Sequence, residues 1–220
     1  LLGDLTDGHE ARTIVNIGLQ AMLLFGTFIA IFVGVGLVSK EIERRTVYSI
    51  FSKPVGRGEF IVGKYLGLCL TMAVNVVVMG IGVSLALWYV GGKDLAWTIW
   101  GTILLIYFEL TILIAVAILF SSFSSPALSA LLTFFIFIIG HFSSSLHDMA
   151  VRLQSEVARY VFDALYYVLP NLSHFSFVTN AAYGETPPPA MLGGAILYAI
   201  IFDTVLIPAT ILIFSRRNFK

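Results

Sequence analysis

Charge is scarce in this chain. Lys, Arg, Asp and Glu make up 12% of its 220 residues, about half the share of an ordinary soluble domain. They cancel to a net charge of zero, so there is no basic field to hold nucleic acid, and a nucleic-acid partner is excluded. Cysteine is nearly missing. Cys69 stands alone inside an apolar run; it can form neither an internal disulfide nor a metal cluster, and it reads as a packing residue. The four histidines, His9, His141, His147 and His174, have no His-Glu-x-x-His or Cys-x-x-Cys context, so no metal site is predicted. The serines that follow His141 come without a Gly-x-Ser-x-Gly elbow, which leaves a membrane hydrolase with no nucleophile and base. No secretory leader pattern opens the chain, and no internal repeat is visible.

What the chain has instead is apolar length. Hydrophobic residues are 58% of the total and the mean hydropathy is +0.93. Runs of about 20 apolar residues read as membrane-crossing helices. Five such spans are expected, at about 17–38, 60–90, 96–120, 127–146 and 190–214, in an all-α, polytopic membrane protein with a single transmembrane domain over 1–220. Residues 1–13 read as a polar, acidic lead-in. Gly18, Gly26, Gly34 and Gly36 in the first span, and the Gly63-x-x-x-Gly67 pattern in the second, are small residues that let helices approach closely in lipid. Gly91 and Gly92 form a tight connection flanked by Trp88, Trp97 and Trp100, as an interfacial aromatic belt would be. Ser125 is placed as a helix cap with Pro126 in the first helical position. Residues 146–169 alternate apolar and charged positions with helical spacing. They predict an amphipathic helix outside the spans, with Tyr160 on its apolar stripe and Arg152, Glu156 and Asp163 in water. The loop 171–189 follows, and Pro208 predicts a kink in the last span.

One polar block stands out among these runs, residues 39–57. It holds Lys40, Glu41, Glu43, Arg44, Arg45, Lys53 and Arg57. Glu41 with Arg44 and Arg45 has helical pair spacing, and Val47, Ile50 and Phe51 share one face. Pro54 stops the helix before it. The block therefore reads as a short amphipathic helix, more ordered and more charged than a linker requires. With the block inside, nine of the 13 Lys and Arg lie on the inner side and four outside. The positive-inside rule then places the block and the C-terminus in the cytoplasm, and residue 1 outside.

Two acids sit at mid-span, Glu109 and Asp203. An ionisable group there costs about 2.5–3.5 kcal/mol on insertion scales, so each should face protein or a cavity. No Lys or Arg of the spans lies at matching depth, so each acid is expected to be protonated, hydrogen-bonded or paired to something outside this sequence. They either line a path or join helices to one another. His141 reads as the polar end of a span and joins Glu109 and Asp203 as a candidate for the path or for bonding between helices. Residues Gly58 to Tyr65 match a phosphate-binding loop until the last position, where Tyr65 replaces the Ser or Thr that would hold magnesium. No strand precedes them, so the chain is not expected to be an ATPase.

The run from Ser39 to Gly67, an acidic and basic stretch closing on Ser52-Lys53-Pro54 and then Gly63-Lys64-Tyr65-Leu66-Gly67, resembles the first cytoplasmic loop of type-2 ABC transporter permeases, the membrane subunits of exporters. Phe108-Glu109-Leu110, the turn from Phe120 to Pro126, Gly140-His141 and Leu169-Pro170-Asn171-Leu172 are similar to that family more weakly. The resemblance implies a coupling helix that docks on a separate ATP-binding subunit, here through Glu41, Glu43, Arg44, Arg45, Val47, Ile50, Phe51 and Pro54. It implies ATP and magnesium on that partner with no cofactor in this chain, and a second permease, identical or homologous, around one path in the inner membrane. The family usually has six spans against the five counted here. The rival expectation is an ion- or proton-coupled secondary carrier that uses Glu109 and Asp203.

Overall fold

A computed structural model describes residues 3–43, 56–143, 160, 166 and 169–216, with the side chains of 3–9 and 38–43 outside that description. The described chain is helical. α1 spans Gly3–Glu43, α2 Arg57–Tyr89, α3 Lys93–Ser121 and α4 Pro126–His141. A 3-10 turn at Leu172–Phe175 and a short α5 at Val178–Ala182 lead to α6 at Pro189–Arg216. In lipid the backbone must satisfy its own hydrogen bonds, so apolar runs of this length become helices.

Among the described residues, four helices are long and apolar enough to cross a membrane: α1 between Glu10 and Leu37, α2, α3 and α6. Of the remaining expected span, 127–146, residues 144–146 lie outside the described residues, and the described α4, 16 residues long, covers about 24 Å at 1.5 Å per residue against a hydrocarbon core of about 30 Å. α1 is longer than expected in both directions. The acidic lead-in continues the helix back to Gly3, and residues 39–43 of the polar block extend it to Glu43. The remainder of that block, 44–55, lies outside the described residues. So does most of the amphipathic stretch 146–169; of its apolar stripe only Tyr160 is described, and at 73% exposure it does not pack on the described spans.

α3 is the axis of the bundle. It is buried along most of its length, whereas α1, α2 and α6 each bury only a minority of their membrane-crossing residues. It packs against all three and against α4. Gly26 and Gly34 of α1 permit that approach: a Cβ on Gly26 would meet Leu110 Cδ1 at 2.6 Å, and one on Gly34 would meet Ala117 Cβ at 3.0 Å. Gly63 and Gly67 behave otherwise. Added Cβ atoms there meet nothing within 4 Å, so this pair makes no helix contact among the described residues.

The turns follow from their residues. α2 ends in a Schellman motif, in which Gly92 N–H donates to the Leu87 carbonyl at 2.9 Å and Gly91 N–H to the Trp88 carbonyl at 3.4 Å. Gly91 takes φ +85°, the left-handed region that glycine enters without penalty. Pro126 starts α4 as expected, but the Ser125 side chain makes no capping bond; Ser124 Oγ instead meets Ser129 Oγ at 2.6 Å. α6 continues as helix through Pro208.

The two ends of the bundle are distinct. At one, Arg57 Nη1 donates to the Ser215 carbonyl at 2.6 Å, and Phe60 stacks on Phe214 with ring centroids 6.0 Å apart. The start of α2 is thereby fastened to the end of α6. At the other, the Arg12 guanidinium lies over the Tyr183 ring at 5.2 Å, and the Gly91–Gly92 turn abuts Ala11. Residues 170–175 tuck back among α3, α4 and α6, with Leu172 and Phe175 fully buried. Irregular backbone inside a membrane bundle needs partners. Asn171 N–H donates to Tyr198 Oη at 2.8 Å, and Asn171 Oδ1 accepts from Ser173 N–H at 3.2 Å.

Candidate functional site

Among the described residues the bundle buries two acids, on opposite sides of α3. Glu109 is 1% exposed and faces α4, where its Oε1 lies 3.4 Å from His141 Nδ1. This is ion-pair distance without hydrogen-bond alignment, since neither atom completes a hydrogen bond in this pose. Helix geometry explains the meeting. Glu109 lies about 18 Å back along α3 from Ser121, and His141 about 22 Å along α4 from Pro126, on either side of one short turn. The Phe137 ring, one turn earlier on α4, sits 4.7 Å from the imidazole and holds it toward α3.

His141 is partly exposed into a groove of about 630 Å³ between α1, α4 and residues 176–179, which Gln20, Ser176 and Thr179 also line. On α1, Gln20 Nε2 donates to Asn16 Oδ1 at 2.8 Å, and both side chains are exposed. Exposed amides on a membrane-crossing helix are costly against lipid, so this flank suits water or another protein surface.

Asp203 of α6 faces α2 and α3. Its Oδ2 accepts from Tyr65 Oη at 2.7 Å and lies 3.0 Å from Thr111 Oγ1. The Thr111 hydroxyl also lies 2.8 Å from the Phe108 carbonyl, and its single hydrogen serves one of the two acceptors. Asp203 Oδ1 has no partner. Thr111 is two positions from Glu109 on α3, a rotation of about 200°, which is why the two acids look in opposite directions.

The sequence thus named three polar candidates that the structure separates into two sites: Glu109 with His141, and Asp203 alone. His141, a polar candidate at the end of a span, lies against Glu109. Tyr65, Thr111, Asn16 and Gln20 were missed. Counting residues from the shared 122–125 turn would have brought Glu109 and His141 to one depth; nothing in the sequence singles out Tyr65 or Thr111. Of the docking candidates, Glu41 and Glu43 fall in the last turn of α1 with side chains not described, and Arg44, Arg45, Val47, Ile50, Phe51 and Pro54 lie outside the described residues. The segment from Gly58 to Tyr65 is inside α2 and forms no loop. Among the described residues no three His, Cys, Asp or Glu side chains gather as metal ligands.

Apolar crossing helices around a buried α3, with acids held between them, define a multi-pass integral membrane protein. The particular family follows from comparison: a family model described as ABC-2 family transporter protein matches residues 4–217. The chain belongs to that family, and is an ABC transporter permease, a membrane component that is not itself an ATPase. A comparison with curated proteins found no match.

Proposed function

We propose that this chain is the permease subunit of an ATP-driven exporter, moving its substrate outward while a separate ATP-binding subunit hydrolyses ATP. The family match over residues 4–217 carries this reading. In it, the block 39–57 lies in the cytoplasm and docks on the ATP-binding subunit, with Val47, Ile50 and Phe51 as an apolar anchor of the kind that dominates interfaces. The fastening of Arg57 to Ser215 and of Phe60 to Phe214 supports a mechanical role for the neighbouring block, because movement of the start of α2 would be passed to α6 as a rigid unit. The exposed Asn16 and Gln20 and the groove at His141 support the α1–α4 flank as the side that meets a second permease around a path.

The carrier reading draws no support from the arrangement. A proton route through Glu109 and Asp203 would have to connect two sites facing opposite sides of α3.

Phe51→Asp tests the proposal, since it places a charge in the proposed dry contact. The ATP-binding subunit should dissociate during purification, or its hydrolysis should uncouple from transport, while the helices still insert. Intact association together with coupled transport would show that the block is not the docking site.

A further inference from the structure

All three tryptophans of the chain line one groove. Trp88 enters it from the end of α2, and Trp97 and Trp100 from the first turns of α3, around a volume of about 260 Å³ walled by Ile81 and Leu85. Trp88, Trp97, Ile81 and Leu85 are exposed, so the groove opens sideways, away from the bundle. It starts beside the Gly91–Gly92 turn and reaches Ile81, eight residues before the end of α2 at Tyr89 and about 12 Å deeper along the helix. Tryptophan settles at the headgroup level of a membrane, so this is the depth of the headgroups and the first part of the acyl chains.

The polar groups around the groove share one character. The Lys93 ammonium lies 5.8 Å from the centroid of the Trp88 ring and has no carboxylate partner among the described residues. Asp94, the next residue, stands about 100° further round α3. None of the three indole N–H groups has an acceptor among the described residues, and an indole donates without accepting. The Ser84 hydroxyl, which belongs to the same lining, is sealed from solvent. An entering group therefore meets a cation and donors. A choline headgroup would need a free aromatic face, and the ammonium over Trp88 repels a second cation. A phosphate with net negative charge pairs with that ammonium, and the chain attached to it has apolar walls to lie against.

We propose that this groove holds one anionic phospholipid, with its phosphate paired to Lys93 and an acyl chain lying between Leu85 and Trp97. The proposal is independent of the exporter reading, because lipid binding needs neither nucleotide nor transport.

The test reads the tryptophan fluorescence of the purified protein in phosphatidylcholine vesicles; no tryptophan lies elsewhere in the chain, so the signal reports this groove alone. Brominated phosphatidylglycerol, added at rising fraction, should quench it to a plateau. Half of that quenching should be reached at a fraction about fivefold lower than brominated phosphatidylcholine needs, the effect of one lysine at an anionic lipid surface. Lys93→Gln should remove the preference and Lys93→Arg should keep it; both replace an exposed side chain, so the fold is not at stake. Inorganic phosphate should not displace the lipid. Quenching that rises in proportion to the brominated fraction of either lipid, as an ordinary lipid annulus would give, would overturn the proposal. So would phosphatidylcholine acting as strongly as phosphatidylglycerol, a preference unchanged in Lys93→Gln or lost in Lys93→Arg, or displacement by free phosphate.

Discussion

Replacing Gly140 by alanine probes the contact that holds the Glu109–His141 pair in place. A Cβ there would lie 2.7 Å from the Pro170 carbonyl oxygen, 2.8 Å from Leu172 Cγ and 3.0 Å from Leu172 Cδ1. Carbon–oxygen contacts settle near 3.3–3.6 Å, so the shortfall is roughly 0.6 Å or more. A backbone carbonyl cannot rotate aside, Leu172 is fully buried, and the segment is pinned by the bond from Asn171 N–H to Tyr198 Oη. The strain therefore moves α4 away from residues 170–175. Overpacking of this kind costs about 1–3 kcal/mol, which lowers the melting temperature by about 2–12 °C for a chain of this length. His141 is the next residue and moves with α4. The assay is thermal unfolding of the purified protein in detergent, followed by the reaction of buried Cys69 with a thiol-sensitive fluorophore. Gly63→Ala is the control of opposite sign. It meets nothing within 4 Å on an exposed helix face, and alanine is favoured there by up to about 1 kcal/mol. A Gly140→Ala protein as stable as wild type, or a Gly63→Ala protein equally destabilised, would refute the packing argument.

Tyr65→Phe removes one of the two groups on Asp203 Oδ2 and should cost about 0.6–1.7 kcal/mol, the range for interhelical hydrogen bonds in membranes; an unchanged melting temperature would mean that the bond contributes nothing. Topology is checked by single cysteines in a Cys69→Ala background. Cysteines at positions 52 and 155 should be labelled from opposite sides of the membrane, and labelling of both from one side would reverse the orientation of the block.

Much of the fold is legible because lipid simplifies the backbone's choices. A chain that finds no water must satisfy its amides within the segment, so the apolar runs around Ile17 to Leu37, Phe60 to Tyr89, Ala96 to Phe120 and Ala190 to Phe214 had to be helices. Gly91, Gly92 and Pro126 marked turns by their own conformational limits, whichever neighbours they met. The presence of Glu109 and Asp203 at mid-span required buried partners for them. Which partners was a different matter. Lipid tails are as apolar as leucine, so no hydrophobic force sorts helix against helix, and an almost uniformly apolar surface carries no address for its neighbour. Gly26 and Gly34 meet α3, whereas Gly63 and Gly67, small residues that also invite a close approach, meet no other described residue within 4 Å. Tyr65 and Thr111 look like ordinary span residues until α2, α3 and α6 bring them to Asp203. The fold of 170–175 onto Gly140 was likewise settled by steric fit. The sequence alone determined that this chain would be a bundle of membrane-crossing helices with acids to bury; tertiary packing decided that those acids would occupy two separate sites, because only close-range fit distinguishes one apolar helix face from another.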